Sequence, residues 1–197
     1  MKYLENFSNT IYKTMSARFT ASRRMKRSRD ASKVCEAMFS ASIIAISLIA
    51  LQNPQKEVAD MISAFTIILS TFLLVLSLLF SGLNYDKRME NYHACGNELN
   101  HLYRLIKHDI NVLCDEEQEK KEIDYINQYE EILSKCNLNQ TSFDYQYALL
   151  GDTDKHPLKW LWFQVRYYIF DVYLLYWTIA VVPTVGVVWY FLRYLVY

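Results

Sequence analysis

Glycine and proline are scarce in this 197-residue chain, at four and three residues. That excludes collagen-like, linker-rich and disordered classes and leaves few points where a helix must stop. The four cysteines (Cys35, Cys95, Cys114, Cys136) include no CxxC pair, and reduced thiols are expected. Glycine-rich phosphate loops, nucleophile elbows and paired carboxylates in a recognisable cleft are missing. The expectation is a chain with no catalytic residues, no cofactor and no metal. The start lacks the apolar core and cleavage site of a secretory signal.

Charge is balanced, 21 basic against 21 acidic side chains, but it is zoned. Residues 1–33 carry nine basic and two acidic groups, and residues 84–156 carry eight basic and fifteen acidic. Between and after these zones lie membrane-grade apolar runs, which sets the chain apart from ordinary soluble enzymes.

The clearest run is residues 61–83, 23 positions without a charge. At 1.5 Å per residue it reaches about 34 Å, enough to cross a bilayer. Its hydroxyl residues, Ser63, Ser70 and Ser77 with Thr66, Thr71 and Ser81, suit a helix that packs against others or lines a pore. Residues 37–51 form a shorter run that spans only with its flanks. Small residues Ala37, Ser40, Ala41 and Ser47 permit close approach there, and Asn53-Pro54 followed by residues 55–60 reads as a polar turn. A transmembrane helical hairpin over residues 34–83 follows.

Nine basic residues precede the first span and only Lys56 lies in the connection, so the positive-inside rule places the N-terminus, and residues 84–157, in the cytosol. Residues 158–197 hold all four Trp and 14 of the 30 aromatic side chains from position 160 onward. They read as a third membrane or interfacial segment, either crossing fully or broken near Pro183 and Gly186. Asp171 at its edge is the acid that a transporter reading would need.

The arm over residues 1–33 is amphipathic: Leu4, Phe7, Ile11, Met15 and Phe19 make one apolar stripe. Its Arg18, Arg23, Arg24, Arg27 and Arg29 admit three readings. They are a flank touching anionic headgroups, a docking surface for phosphate or an acidic partner, or part of an Arg-rich targeting segment.

Beyond residue 84, Tyr85, Tyr92, Leu99, Ile106 and Leu113 repeat at seven, which continues the membrane helix into a cytosolic stalk. A turn at residues 115–117 and a second amphipathic helix carrying Ile123, Ile126, Tyr129, Ile132 and Leu133 give an antiparallel platform. His93, His101 and His108 lie about 10 Å apart along the stalk helix, too far for convergent metal ligation. His108-Asp109 resembles a phosphohydrolase dyad but lacks the second half of one.

The run Ala17-Arg18-Phe19 with Ala21-Ser22-Arg23-Arg24-Met25 and Ser32, just before a two-span hairpin, resembles the entry to the SLATT domain. Phe65, Ile68-Leu69-Ser70, Leu76-Ser77-Leu78, Tyr85 and Tyr92-His93-Ala94-Cys95 leading to Glu98-Leu99 and Leu102-Tyr103 resemble its exit. The likeness covers roughly residues 8–135, and the aromatic C-terminus is similar to a longer subfamily found beside defence-associated reverse transcriptases. What this resemblance implies is a two-transmembrane effector of bacterial antiviral defence, acting on the membrane when a cytosolic partner is triggered.

The reading is an all-α membrane protein of the inner membrane, a homo-oligomer in contact with lipid. It permeabilises the membrane when a reverse transcriptase or nucleotide-signal synthase is triggered. The alternative is a scaffold anchoring such a nucleic-acid enzyme through the basic arm.

Overall fold

The computed structural model describes residues 2–52, 55–136 and 141–149, and positions 158, 161, 162, 165, 166, 176, 178, 185 and 189. With so few helix breakers, long helices dominate. They are α1 (Lys2–Gln52), α2 (Lys56–Gly82), α3 (Tyr85–Val112), α4 (Asp115–Lys135) and the short α5 (Ser142–Leu149). Contacts divide the chain into two units, Met1–Lys26 with Asp86–Gln164, and Arg27–Tyr85 with Val165–Tyr197.

The first unit is a three-helix bundle made by α3, α4 and the N-terminal half of α1. Leu4, Ser8, Ile11, Met15, Arg18, Ser22 and Met25 are buried along α1, spaced alternately by four and three as in a coiled-coil seam. On α3, Tyr92, Cys95, Leu99, Leu102 and Ile106 make the matching seam. Tyr125 closes the core from α4. The apolar stripe of the N-terminal arm therefore faces protein: Leu4, Ile11 and Met15 lie in this core, and Phe7 and Phe19 pack on its edge. Each fully buried Leu or Ile here contributes about 1.5–3 kcal/mol.

Ser22 Oγ donates to the Met89 carbonyl at 3.1 Å, and Tyr12 meets Tyr103 at a centroid distance of 5.6 Å, so α1 runs antiparallel to α3. Gly96 is what lets them approach. A Cβ there would stand 2.9 Å from the Phe19 ring, closer than side chains tolerate. Gly96→Ala gains about 1 kcal/mol of helix propensity but must displace that ring, so little net change is expected. Gly96→Leu should lower stability by about 1–3 kcal/mol through overpacking, read as a fall in melting temperature of the solubilised protein.

The turn from α3 to α4 occurs at residues 113–114, just ahead of the acidic run where it was expected. Gln118, 4% exposed, donates to the Leu113 and Ile110 carbonyls at 2.9 and 3.3 Å, satisfying the carbonyls at the end of α3. Asp109 accepts from Lys121 Nζ at 2.7 Å, from the Tyr125 hydroxyl and from His108 Nδ1. The suggestive His108-Asp109 pair is thus part of a hairpin clamp.

Those bonds, that from Lys121 foremost and then those from Tyr125 and His108, hold the Asp109 carboxyl well below the usual carboxylate range. Burial and the facing Asp109 raise the Tyr125 phenol. A depressed native pKa contributes stability above the unfolded value of about 3.9, which is lost as pH falls through the native one. Asp109→Asn should therefore melt lower at pH 7 and show a shallower further loss on acidification below about pH 4. Parallel melting curves of variant and parent across that range would remove this assignment.

In the second unit, α1 continues without interruption to Gln52, and α2 returns from Lys56. Helix begins at Lys56, so residues 56–60 belong to α2 and not to the connecting turn. Phe39 of α1 meets Phe72 of α2 at 6.2 Å. Only 6% of the apolar window of α2 is buried, which distinguishes it from the core helix of a soluble protein. Phe65, Ile67, Ile68, Leu74, Leu78 and Leu79 are exposed.

The continuous membrane helix expected across residue 84 is interrupted once. Leu83 and Asn84 donate to the carbonyls of Phe80 and Ser81, Asn84 adopts φ 50°, and α3 restarts at Tyr85. Asparagine tolerates this left-handed conformation better than other non-glycine residues. Tyr176 packs with Cys35 and Phe80, and its hydroxyl lies 2.7 Å from that of Tyr85. Most of the expected third membrane or interfacial segment, Asp171, Pro183 and Gly186 included, lies outside the described residues.

Candidate functional site

Two surfaces define what the protein presents: the basic segment of α1 and the outer face of α2. Along an ideal helix, Arg18 and Arg29 fall about 20° apart, while Arg23, Arg24 and Arg27 lie on the other side. Helical geometry alone keeps the five arginines from converging on one phosphate.

Their contacts confirm that they do different things. Arg18 is buried at 6%, its guanidinium 5.8 Å from the centre of the Tyr92 ring. Burial pulls its pKa below the ordinary arginine value, opposed by Tyr92 and Tyr129. Arg23 is exposed and donates to Thr20 Oγ1 at 3.2 Å. Arg24 makes a two-pronged ion pair with Asp144, Nε to Oδ1 and Nη2 to Oδ2, both 2.9 Å. Arg29 pairs with its neighbour Asp30, and Arg27 is half-buried.

Asp144 is the residue that the sequence reading missed. It is fully buried, and it also accepts from the Thr141 hydroxyl at 2.7 Å and the Thr141 backbone N–H at 3.3 Å. Helix α5 is thus anchored: an acid 120 residues from its arginine holds it to α1.

The thiols also differ from expectation. Cys95 and Cys136 are joined as a disulfide, while Cys35 and Cys114 are free. The antiparallel return of α4 along α3 brings together two cysteines that no short-range motif links.

On α2, Ser63 Oγ donates to the Ala59 carbonyl and Ser70 Oγ to the Thr66 carbonyl, both at 2.8 Å. Thr66 and Thr71 bond back in the same way. These hydroxyls are satisfied within their own helix, so Ser63 and Ser70 present small surfaces that allow another helix to come close, and Ser77 is exposed and equally small. Within the first span, burial selects Cys35, Phe39, Ser42 and Ala50 in place of the small residues picked out from the sequence. No group of three or more His, Cys, Asp or Glu able to hold a metal ion occurs among the described residues.

A helical pair long and apolar enough to cross a bilayer, joined to a polar helical bundle, defines a two-transmembrane helical membrane protein. The chain belongs to the SMODS and SLOG-associating 2TM effector domain family 5, whose family model matches residues 1–189. The match takes in most of the aromatic C-terminal run, well beyond the stretch on which the resemblance was seen. This family is a two-transmembrane effector domain linked to defence systems and associated with partner components. Neither the curated proteins nor the solved structures yield a match.

Proposed function

We propose that the chain is the membrane-acting arm of an antiviral defence system, which oligomerises through α2 and permeabilises the inner membrane when a cytosolic partner engages the bundle. The observation that carries this reading is the outer face of α2: almost wholly unburied, apolar, and punctuated by hydroxyls whose bonding is satisfied internally. Such a face is compatible with lipid and, at Ser63, Ser70 and Ser77, with close contact between copies.

The basic flank of the first span supports an N-terminus in the cytosol, with the bundle on the same side. The bundle is rich in ion pairs, and we assign it no catalytic role. A reverse transcriptase or a nucleotide-signal synthase is the partner class proposed to trigger it. The burial of Arg18 and the engagement of Arg24 by Asp144 weigh against the scaffold alternative, since they take two of the five arginines out of the docking cluster and leave Arg23, Arg27 and Arg29, of which Arg23 alone is exposed.

The test is inner-membrane potential, followed with a voltage-sensitive dye during phage infection, in cells with and without this gene. Depolarisation that requires the gene, together with crosslinked multimers through residues of α2, is expected. Protection from phage with unchanged potential would reject permeabilisation.

A further inference from the structure

The Cys95–Cys136 disulfide ties the end of α4 to the middle of α3 across 41 residues of sequence, with Cα atoms 6.0 Å apart. Its two ends are unequal. Cys95 is 2% exposed in the bundle core, whereas Cys136 is half-buried at the rim. A cavity of about 170 Å³ opens beside the bond, lined by Arg18, Asn91, Glu98, Lys135 and both cysteines. Arg18 and Lys135 face one lining carboxylate, Glu98; Lys135 also pairs with Glu131 at 2.7 Å, an exposed and therefore weak pair that an incoming carboxylate can replace.

The bundle is the part of the chain that charge asymmetry assigns to the cytosol, where disulfides do not persist as passive staples and are transient or redox-sensing. We propose that Cys95–Cys136 is a thiol–disulfide exchange site that takes a small anionic thiol. The cavity admits the sulfur-bearing end of the thiol, and Arg18 and Lys135 on its wall attract the carboxylates such a molecule carries.

Exposure directs the attack. The incoming thiolate forms a bond to Cys136 Sγ, the Cys95–Cys136 bond breaks, and Cys95 leaves as a thiolate that takes a proton from water. A second thiolate attacks the mixed disulfide, forming the oxidised small-molecule dimer and releasing Cys136. The two thiols supply both electrons. Opening the bond leaves α4 fixed at its turn by Gln118 and Asp109 and at mid-length by Tyr129, which bonds Thr14 and packs on Phe7. Its last turns lose their covalent tie.

The proposal is tested on the purified full-length chain in lipid nanodiscs. Reduced glutathione and β-mercaptoethanol are compared at matched thiolate concentration, with alkylation and peptide mass spectrometry at timed points. Glutathione should open the bond several-fold faster than size alone permits, and the mixed disulfide should sit on Cys136. Lys135→Gln, which leaves both cysteines in place, should remove most of that preference. Hydrogen exchange over residues 129–136 should rise at least tenfold on reduction.

In cells, alkylation trapping should find the pair shifting between thiol and disulfide on treatment with a thiol oxidant and its removal. A mixed disulfide on Cys95, equal rates for the two thiols in parent and variant, or a pair that stays in one state throughout would overturn the proposal. None of these measurements depends on whether the chain depolarises a membrane, so failure here leaves the effector reading standing.

Discussion

Arginine in place of Leu73 should abolish depolarisation and strongly reduce the membrane-inserted fraction. Fourteen Leu, Ile, Phe and Val residues in positions 61–83 favour insertion by about 4–8 kcal/mol on the translocon scale, offset in part by six Ser and Thr. One arginine near the middle costs about 2.5–3.5 kcal/mol on the same scale. That is a large share of the driving force, and a factor of about 100 in the insertion equilibrium.

Neighbouring positions separate insertion from packing. Leu76 is the buried residue of α2, whereas Leu74 is 60% exposed. Leu76→Arg places a charge against protein and should also disturb the hairpin. Leu74→Ala removes little insertion energy and leaves a smaller surface, so it should insert normally and change only contacts made outside the protomer. Carbonate extraction reads insertion, and a voltage-sensitive dye reads activity. Full insertion and full depolarisation by Leu73→Arg would sink the central-span assignment.

The spans were legible because an uncharged run of this length has few physical alternatives. The α3–α4 hairpin was legible as well, since Tyr92, Leu99 and Ile106 repeat at seven and an acidic run follows. The third helix of the bundle was harder to see. Beyond Met15 the buried side of α1 passes through Arg18 and Ser22 in the bundle and through Ser28 and Ser32 in the second unit, residue types that hydropathy scores as surface. Small polar residues that bond their own helix, as Ser32 does to the Arg29 carbonyl, hide a packing seam from any apolar-periodicity test.

Long-range pairings left even less trace in the sequence. Nothing near Asp144 marks it as the partner of Arg24, and nothing near Cys136 marks it as the partner of Cys95. Both pairings are products of the antiparallel path of α3 and α4. For the same reason, five arginines within twelve positions read as one basic surface, yet α1 distributes them around its circumference and the fold engages them separately.

Asp144→Ala should release α5. The carboxylate receives two hydrogen bonds from Arg24 and two from Thr141, and it is fully buried. Breaking a buried pair by removing one partner costs about 3–5 kcal/mol, because a desolvated charge is left behind. The Arg24 side chain keeps 18% exposure, which gives it some access to water and places the expected loss at the lower end, about 3 kcal/mol. An eight-residue helix has no independent stability in water, so the loss should appear as local unfolding of α5. The seam among α1, α3 and α4 does not use Asp144 and should survive. Hydrogen exchange over residues 142–149 should then accelerate about 100-fold, with residues 92–106 unchanged. Replacing both partners, Arg24→Met with Asp144→Leu, should restore much of the protection, because no unpaired charge remains. Unaltered exchange in α5 after Asp144→Ala would mean that packing, and not the ion pair, holds that helix in place.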